Sequence, residues 1–142
     1  MNIIYKQIKT IPEMIDVLHL RMNVFWKEQK TDPNIEFDKY DKNAYHFAAI
    51  NKKTIVGVGR TRIINKKGKI ERIAIDKKFR KKGIGFGITK FIIAFLRKKG
   101  VKNMYLHSQW SKKGFYKKIG FKPVGKTFYE AKIKHIKMVY QE

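Results

Sequence analysis

The segment Ile70–Gly100, IERIAIDKKFRKKGIGFGITKFIIAFLRKKG, is the most informative part of this chain. Its first six residues alternate with period two and are rich in β-branched side chains, which is typical of a strand, and we expect that strand to end near Asp76. From Ile84 onward the apolar side chains recur at the spacing of one helical face, until basic residues and Gly100 end the pattern. The segment therefore predicts a strand, a charged loop and an amphipathic helix.

The loop between this strand and helix combines cations with glycines. They are Arg80, Lys81, Lys82, Gly83, Gly85 and Gly87. Glycines lack the Cβ atoms that would keep an anion away from the backbone, and the start of a helix has N–H groups without intrahelical partners. The cations add full positive charges. The loop therefore predicts an anion site, for which a pyrophosphate is the natural ligand.

Two common nucleotide-binding motifs do not fit this loop. A P-loop requires Gly-Lys-Ser/Thr after a four-residue gap, and that sequence does not occur here. A dinucleotide-binding fingerprint requires a third glycine where Ile88 stands, and an acidic residue about 20 positions later, where the chain is apolar and basic instead. Neither motif accounts for the glycines.

The loop instead resembles the Arg/Gln-x-x-Gly-x-Gly/Ala signature of the GNAT superfamily of N-acetyltransferases, with matches at Arg80, Gly83 and Gly85. A second stretch, Gly114–Phe121 (GFYKKIGF), resembles the superfamily's Phe-Tyr-x-Lys-x-Gly-Phe signature. Similarity to the small bacterial ElaA-like branch extends over nearly the whole chain. It includes Leu106 to Gln109, Val24-Phe25, Glu28-Gln29, Phe128, Glu130, Ile133, His135 and Met138.

The resemblance implies an α+β (mixed α/β) fold, in which a mostly antiparallel mixed sheet contains two splayed parallel strands and is flanked by about four helices. It implies acetyl-coenzyme A as cosubstrate and transfer of the acetyl group to a primary amine, by direct attack in a ternary complex. Contacts to the pyrophosphate are implied for Arg80, Lys81, Lys82, Gly83, Ile84 and Gly85. Contacts of the backbone to the pantetheine arm are implied for Ile73, Ala74 and Ile75.

The resemblance also suggests groups for proton transfer. Tyr116 matches the tyrosine that acts as general acid near the sulfur in many relatives, although it could also be an aromatic side chain packed beside Phe115. For the general base, His107 lies at the end of the second parallel strand, and histidine has a suitable ordinary pKa. The alternatives are a chain of water molecules or one of Glu71, Glu130, His46 and His135.

Two positions depart from the family pattern. Gln109 stands where many relatives carry asparagine, and Lys112 stands where they usually carry alanine. We therefore expect the contacts near the pantetheine arm to differ from those of relatives, while the pyrophosphate loop is unaffected.

Composition limits the class of protein. At 142 residues the chain predicts one domain, residues 1–142. It has no cysteine, so a covalent acyl-cysteine mechanism is excluded, and because no cluster has metal-ligand spacing we expect no metal. The N-terminus lacks the apolar core of a signal peptide and no apolar run approaches membrane-spanning length. We expect a cytoplasmic protein without membrane attachment, as a monomer or homodimer.

The net charge of +23 raises a second hypothesis. Strongly basic chains often bind nucleic acid, and this chain could be a basic module for RNA, DNA or the ribosome, with a vestigial or regulatory acyl-CoA site. The excess is mainly lysine scattered along the chain, which also fits the bias of an AT-rich coding sequence. Nonspecific polyanion binding at low salt is expected in either case and should weaken steeply as salt rises.

The segment Glu28–Asp41 departs from this basic character. It contains five acids, Glu28, Asp32, Glu36, Asp38 and Asp41, against the lysines Lys30 and Lys39, which leaves a net charge of −3. Local carboxylates attract a protonated amine even when the net field repels cations, so the segment predicts the acceptor site. The alternative is a solvated loop whose acids pair with neighbouring lysines.

The rest of the chain predicts further strands and two further helices. Strands are expected over 2–8, 45–50, 54–64, 101–107, 121–128 and 133–140. We expect Thr10 to cap a helix whose apolar face consists of Met14, Leu18, Met22 and Phe25. A short helix is expected from a Ser111 cap to Lys118, with Gly120 as its left-handed end.

Overall fold

The computed structural model of the chain describes residues 1–141, which form one seven-stranded sheet with helices packed against it. The strands are β1 (Ile3–Gln7), β2 (Tyr45–Asn51), β3 (Thr54–Ile64), β4 (Lys67–Ile75), β5 (Asn103–Gln109), β6 (Phe121–Glu130) and β7 (Ile133–Tyr140). The α-helices are α1 (Ile11–Arg21), α2 (Pro33–Glu36), α3 (Ile84–Lys98) and α4 (Lys113–Ile119). A π-helix over Met22–Glu28 continues α1, and 3-10 turns cover Lys39–Lys42, Lys77–Phe79 and Trp110–Lys112.

The two parallel strands lie at the centre of the sheet. The strand order is β1-β2-β3-β4-β5-β7-β6, and every adjacent pair is antiparallel except β4 and β5. The pairing of β4 with β5 ends at Ile70 opposite Leu106, although β4 continues to Ile75 and β5 to Gln109. The two strands therefore separate at their C-terminal ends, and the expected mixed, mostly antiparallel sheet with two splayed parallel strands is confirmed.

A bulge in β4 accompanies this separation. The register of β4 against β3 shifts between Val58 and Arg60, and on the β4 side Arg72 adopts a left-handed conformation with φ of 55°. Bulges bend the strand that carries them, so β4 changes direction just after its last pair with β5. A left-handed arginine costs about 1–2 kcal/mol. Ion pairs from Arg72 to Glu36 (2.9 Å) and Asp38 (3.1 Å) offset that cost.

Apolar side chains from alternate strand positions form two cores. Phe47 and Ile70 belong to the larger core, where α3 contributes Ile88, Ile92 and Leu96. The neighbouring strand residues Ala48 and Val58 belong to the smaller core, with Val17, Leu20 and Val24 from α1 and its continuation. Successive side chains of a strand point to opposite faces, so α3 covers one face of the sheet and α1 covers the other.

Close packing of α3 explains the glycines of β3. A Cβ at Gly59 would lie 2.7 Å from Ile92 Cδ1 and 2.8 Å from Ile73 Cδ1, and a Cβ at Gly57 would lie 2.9 Å from Ile75 Cδ1. The two glycines therefore leave room for isoleucine side chains of β4 and α3. Gly59 also lies at the register shift that forms the bulge described above.

The expected apolar face of the first helix is wrong by about one residue. Val17, Leu20 and Val24 are buried, whereas Met14 and Phe25 are only half-buried at the edge of the smaller core. The buried face also includes Arg21, which is 1% exposed and bonds the carboxylates described below. The cap of this helix at Thr10 is as expected, since its hydroxyl accepts from the Glu13 N–H at 3.3 Å.

The expected cap of the last helix is wrong. Ser111 lies inside the 3-10 turn Trp110–Lys112, and α4 begins at Lys113 without a side-chain cap. Gly120 does end α4 with a positive φ of 126°, as expected. In residues 1–141 none of the helices has both the length and the apolar character needed to cross a membrane.

Candidate active site

A cavity of about 820 Å³ opens where β4 and β5 separate. Its walls come from both strands, the loop before α3, α4, the π-helical continuation of α1 and the β6–β7 hairpin. The sequence-predicted residues that line it are Ile73, Ala74, Ile75, Arg80, Lys81, Gly83, Ile84, Gly85, His107 and Tyr116. Lys82 does not line it. Residues far apart in sequence are therefore brought to one cavity by the splay of two strands.

The N-terminus of α3 forms one end of the cavity. Gly83 is its cap residue, with φ of 82°, and no side chain accepts a hydrogen bond from the first-turn amides. The first turn also contains no acid, in contrast to α1, which has the Thr10 cap and Glu13. Backbone N–H groups at this end are therefore available to an anion, and the helix dipole favours one.

Arg80 braces the loop at this end. Its Nε donates to the carbonyl oxygen of Ile75 at 3.0 Å, and its Nη2 donates to Glu28 Oε1 at 2.8 Å. Asp76 accepts from the Lys78 N–H at 3.0 Å and closes the turn that precedes the loop. The arginine therefore ties the end of β4 to the segment after α1, in addition to adding positive charge.

The glycines of the loop have different reasons for lacking a side chain. A Cβ at Gly83 would meet nothing within 4 Å, so its positive φ is what favours glycine. A Cβ at Gly85 would lie 3.2 Å from Phe115 Cζ, and one at Gly87 would lie 2.0 Å from Tyr5 Oη. Gly87 therefore serves the contact between α3 and β1 rather than the cavity.

Tyr116 lies on α4 in the wall of the cavity. Its ring packs edge-on against Phe115 and Phe121, with centroids 5.0 and 5.9 Å apart, so the packed-aromatic alternative also describes its surroundings. Burial raises the pKa of Tyr116 above its ordinary value. The phenol therefore stays protonated at neutral pH and has a proton to donate.

Glu71 is held as an ion pair. It accepts from Arg62 Nε at 2.9 Å and Arg62 Nη2 at 2.8 Å, and from Arg60 Nε at 2.9 Å. Burial alone would raise the pKa of Glu71, but the bonds from Arg62 and the charges of Arg60 and Lys69 lower it to about 2. A carboxylate with so low a pKa is a weak base, although it lines the cavity.

Two of the candidate histidines have structural partners. His46 lies outside the cavity lining, where its Nε2 donates to the Asp41 carbonyl oxygen at 2.9 Å, and burial lowers its pKa. Its Nδ1 is buried without a hydrogen-bond partner among the described residues. His135 does line the cavity, but its Nδ1 donates to the carbonyl oxygen of Ile133 at 2.7 Å and the residue is 8% exposed.

His107 and Glu130 form a pair in the cavity wall. His107 Nδ1 lies 2.5 Å from Glu130 Oε1, and the imidazole packs edge-on against Phe128 with centroids 5.0 Å apart. The hydrogen bond from His107 lowers the pKa of Glu130, against the effect of partial burial. The pair combines an ionised carboxylate with an imidazole at the surface of the cavity.

Four of the five acids of the segment Glu28–Asp41 pair with arginines. Arg21 bonds Glu36 at 2.6 Å and Asp41 at 2.7 Å, and Arg60 bonds Asp38 at 2.8 Å and Asp41 at 2.9 Å. Glu36, Asp38 and Asp41 are therefore paired with buried arginines from α1 and β3 rather than with neighbouring lysines. Glu28 pairs with Arg80 of the loop, and Asp32 accepts from the Asn34 N–H as the cap of α2. Sequence reasoning missed this network, and the signal was that five of the six arginines fall at strand and helix positions while the lysines are scattered.

A hydrogen bond joins two opposite walls of the cavity. Gln109 Nε2 at the end of β5 donates to Gln29 Oε1 after the π-helix, at 2.9 Å. Both residues line the cavity, as does Lys112. Gln109, which stands where many relatives carry asparagine, therefore makes a contact between the two walls. The shorter asparagine side chain would reach Gln29 less easily.

The cavity does not contain an evident metal site. Within residues 1–141, no group of three or more His, Asp or Glu side chains is placed so that it could hold a metal ion. The expectation of a metal-free protein stays a prediction.

Comparison with known proteins gives the family. A model of the acetyltransferase (GNAT) domain matches residues 15–142. The Bacillus subtilis protein YyaT is 35% identical over 141 residues, which are 97% of this chain and 94% of YyaT. Escherichia coli ElaA has the same fold, with a TM-score of 0.88, 21% identity and coverage of 99% of this chain and 100% of ElaA. A GNAT family acetyltransferase from Elizabethkingia anophelis with acetyl-CoA bound gives a TM-score of 0.74 at 20% identity, over 99% of each chain. This chain belongs to the GNAT acetyltransferase family.

Proposed function

We propose that this protein is an N-acetyltransferase that transfers the acetyl group of acetyl-coenzyme A to a primary amine, by direct attack in a ternary complex. The observation that carries the proposal is a single cavity that joins the uncapped N-terminus of α3, the separated edge of β4, Tyr116 and His107. When bound, acetyl-coenzyme A supplies a thioester as an activated acetyl donor. The bound acetyl-CoA of the Elizabethkingia anophelis relative supports the choice of donor.

The end of the cavity at α3 fits a pyrophosphate. The backbone N–H groups after Gly83 have no side-chain acceptor, and the space beside Gly83 is open. Lys81 lines this end, and Arg80 adds a second positive charge. The side chain of Ile84 is buried in the core, so its contribution is its backbone. Lys82 would act on the anion only through its charge at a distance.

The edge of β4 fits an amide-containing arm. Beyond Ile70 no described strand pairs with β4 on its β5 side, so the peptide groups of Ile73 to Ile75 on that side are open to a ligand, except the Ile75 carbonyl oxygen, which accepts from Arg80 Nε. Added ligand groups would extend the sheet in the manner of a further strand. The side chains of Ile73, Ala74 and Ile75 then need only pack, because the contacts to the ligand come from the backbone.

Proton movements complete the proposed reaction. The amine nitrogen attacks the carbonyl carbon, a proton leaves the nitrogen for His107, and the carbon–sulfur bond breaks. Tyr116 donates its phenolic proton to the departing sulfur. Because the chain has no cysteine, no acyl-cysteine precedes this attack.

Calorimetric titration with acetyl-coenzyme A at physiological salt tests the donor site, with Gly83→Asp as the variant. An aspartate beside the α3 amides would fill the open space and repel a pyrophosphate, so saturable binding should be lost. Gly100→Asp is the matched control, because Gly100 has φ of 83°, nothing within 4 Å of a Cβ, and lies at the opposite end of α3.

The two variants share the backbone strain and differ in their distance from the cavity. Binding that survives in Gly100→Asp but not in Gly83→Asp supports the site and justifies screening amines for turnover. Wild-type protein that binds no acetyl-coenzyme A, or equal binding by both variants, contradicts the proposal.

A further inference from the structure

One carboxylate in the cavity differs from the others in its partners. The carboxylates that line the cavity are those of Glu36, Glu71 and Glu130. Glu36 is paired with Arg21 and Arg72, and Glu71 with Arg60, Arg62 and Lys69. Glu130 instead has His107 as its hydrogen-bonding and ion-pairing partner among the described residues. No arginine neutralises it.

We propose that Glu130 is a positioning residue that holds His107 in the tautomer with a proton on Nδ1, so that Nε2 accepts the proton of the acceptor amine. This inference rests on the proposed function. It assigns to Glu130 a role different from that of the base itself.

The tight turn after β6 places Glu130. Ala131 and Lys132 have φ values of 49° and 65°, which is the pattern of a two-residue type I′ hairpin turn, and Glu130 pairs with Ile133 across it. The order of the strands is β5, β7, β6, so the Glu130 side chain reaches across the end of β7 to His107 on β5. The position of the carboxylate therefore depends on the register of the hairpin.

Aromatic packing fixes the imidazole plane. Phe128 contacts His107 edge-on at 5.0 Å and stacks on His135 at 6.0 Å, with ring planes 22° apart. Tyr105 also lies near His107, with ring centroids 6.0 Å apart. These aromatic contacts restrict rotation of the imidazole and so favour its Nδ1 contact with Glu130.

The chemistry follows from the two ring nitrogens. A neutral imidazole carries one N–H and one free lone pair, so an Nδ1–H that donates to Glu130 leaves the lone pair on Nε2. When Nε2 takes the proton of the amine, the ring becomes a cation next to an ionised carboxylate. The carboxylate stabilises that cation without taking the proton itself.

Other charged groups act on Glu130 as well. Lys69 on β4 and His135 on β7 both favour its ionised form, and Lys137 on β7 is opposite His107 in the register. None of these replaces Glu130 as the acceptor of the Nδ1 proton, because lysine has no acceptor and the hydrogen bond of His107 Nδ1 is to Glu130 rather than to His135.

Long-range proton–nitrogen NMR correlations of the histidine rings test the tautomer directly, above the pH at which imidazoles are protonated. We expect His107 to carry its proton on Nδ1 in the wild type and on Nε2 in Glu130→Leu. The chain contains two internal references, because His135 donates from Nδ1 and His46 from Nε2. Neither should change. A His107 that keeps its Nδ1 proton in Glu130→Leu overturns the proposal.

A double-mutant cycle tests the catalytic consequence. His107→Ala should lower kcat by about 10²–10⁴-fold, the range typical of a general base. Glu130→Leu should lower kcat by at least about 10-fold, and Glu130→Gln, which keeps an acceptor oxygen, by less. Residues that act as a unit are not additive, so His107→Ala/Glu130→Leu should be no slower than His107→Ala. Losses that multiply, or full turnover in Glu130→Leu, overturn the proposal.

Controls separate this inference from the proposed function. Asp16→Asn removes one exposed carboxylate from α1, outside the cavity, and should retain wild-type turnover. Each Glu130 variant should bind acetyl-coenzyme A as the wild type does, which shows that it is folded. If the wild-type protein acetylates no amine, both the proposed function and this inference are contradicted. If the wild type is active and Glu130→Leu has an unchanged kcat, only this inference is contradicted.

Discussion

At the scale of single residues, arginine and lysine have different roles in this protein. Arg21 and Arg60 are each 1% exposed and each bonds two carboxylates or more, whereas most lysines are exposed. The guanidinium group donates in several fixed directions and suits such sites, while lysine is a hydrated point charge. Four acids of the segment Glu28–Asp41 are therefore held by arginines, and the acceptor site expected at this segment stays a prediction.

Tyr116→Phe tests the proposed general acid. The substitution removes the phenolic proton and leaves the aromatic packing in place, so kcat should fall by about 10²-fold while affinity for acetyl-coenzyme A changes little. Steady-state kinetics and calorimetry measure the two effects. Tyr129→Phe is the control, since Tyr129 is 73% exposed on β6 and does not line the cavity. Unchanged turnover in Tyr116→Phe would show that the proton comes from elsewhere.

At the scale of elements, the position of α3 is set by glycines on both contacting surfaces. Gly57 and Gly59 of β3 leave room for isoleucine side chains of α3 and β4. Gly87 of α3 leaves room for the ring of Tyr5 from β1. Because α3 cannot move without disturbing these contacts, its N-terminus is held at the mouth of the cavity. Packing remote from the site thus positions the backbone N–H groups of the proposed anion site.

Gly87→Ala tests whether helix propensity or packing against Tyr5 decides the stability effect at this position. Alanine should stabilise a helix by about 1 kcal/mol relative to glycine, but its Cβ would lie 2.0 Å from Tyr5 Oη and 2.3 Å from Tyr5 Cζ. Overpacking typically costs about 1–3 kcal/mol, so we expect a net loss of stability in urea unfolding. Gly114→Ala on α4 is the control, because a Cβ there meets nothing within 4 Å, and it should stabilise or be neutral. A Gly87→Ala variant more stable than the wild type would contradict this account.

At the scale of the whole molecule, the buried ion pairs make stability depend on pH. The folded-state pKa of Glu71 is about 2, below its ordinary value of 4.5, and the side chain is 7% exposed. Its contribution to the free energy of unfolding is therefore complete above about pH 4.5 and is lost as the pH falls toward 2. A difference of this size corresponds to roughly 3 kcal/mol.

Glu71→Gln should remove that contribution. We expect the variant to unfold more easily than the wild type by roughly 3 kcal/mol at pH 7, and the difference to shrink as the pH falls from 4.5 toward 2. Urea unfolding at several pH values measures it. Glu13→Gln breaks a partly exposed surface pair with Lys6 and should change stability much less. A Glu71→Gln difference that does not depend on pH in this range would contradict the assignment.

Several expectations about the whole molecule stay predictions. They are the single domain over 1–142, the cytoplasmic location, the monomeric or homodimeric state and the nonspecific binding of polyanions at low salt. The hypothesis of a basic nucleic-acid module has no support from the family or from the relatives.

The sequence alone determined most of the elements and the position of the glycine-rich loop for which an anion site is predicted. Strand alternation, helical spacing, and the glycines at Gly83 and Gly120 are local patterns, and local backbone preferences were enough to place β4, α3 and the end of α4. The resemblance of two short motifs then supplied the family. These inferences needed no knowledge of which strands are neighbours.

Only the tertiary structure decided which charged groups are partners. Arg60 meets Asp38, and His107 meets Glu130, across 22 and 23 positions of sequence, and each contact depends on the register of several strands. The bulge at Arg72 and the splay of β4 from β5 likewise arise from pairing between strands. Ion pairs and cavities are made by residues that are distant along the chain, so their geometry follows from packing rather than from local pattern.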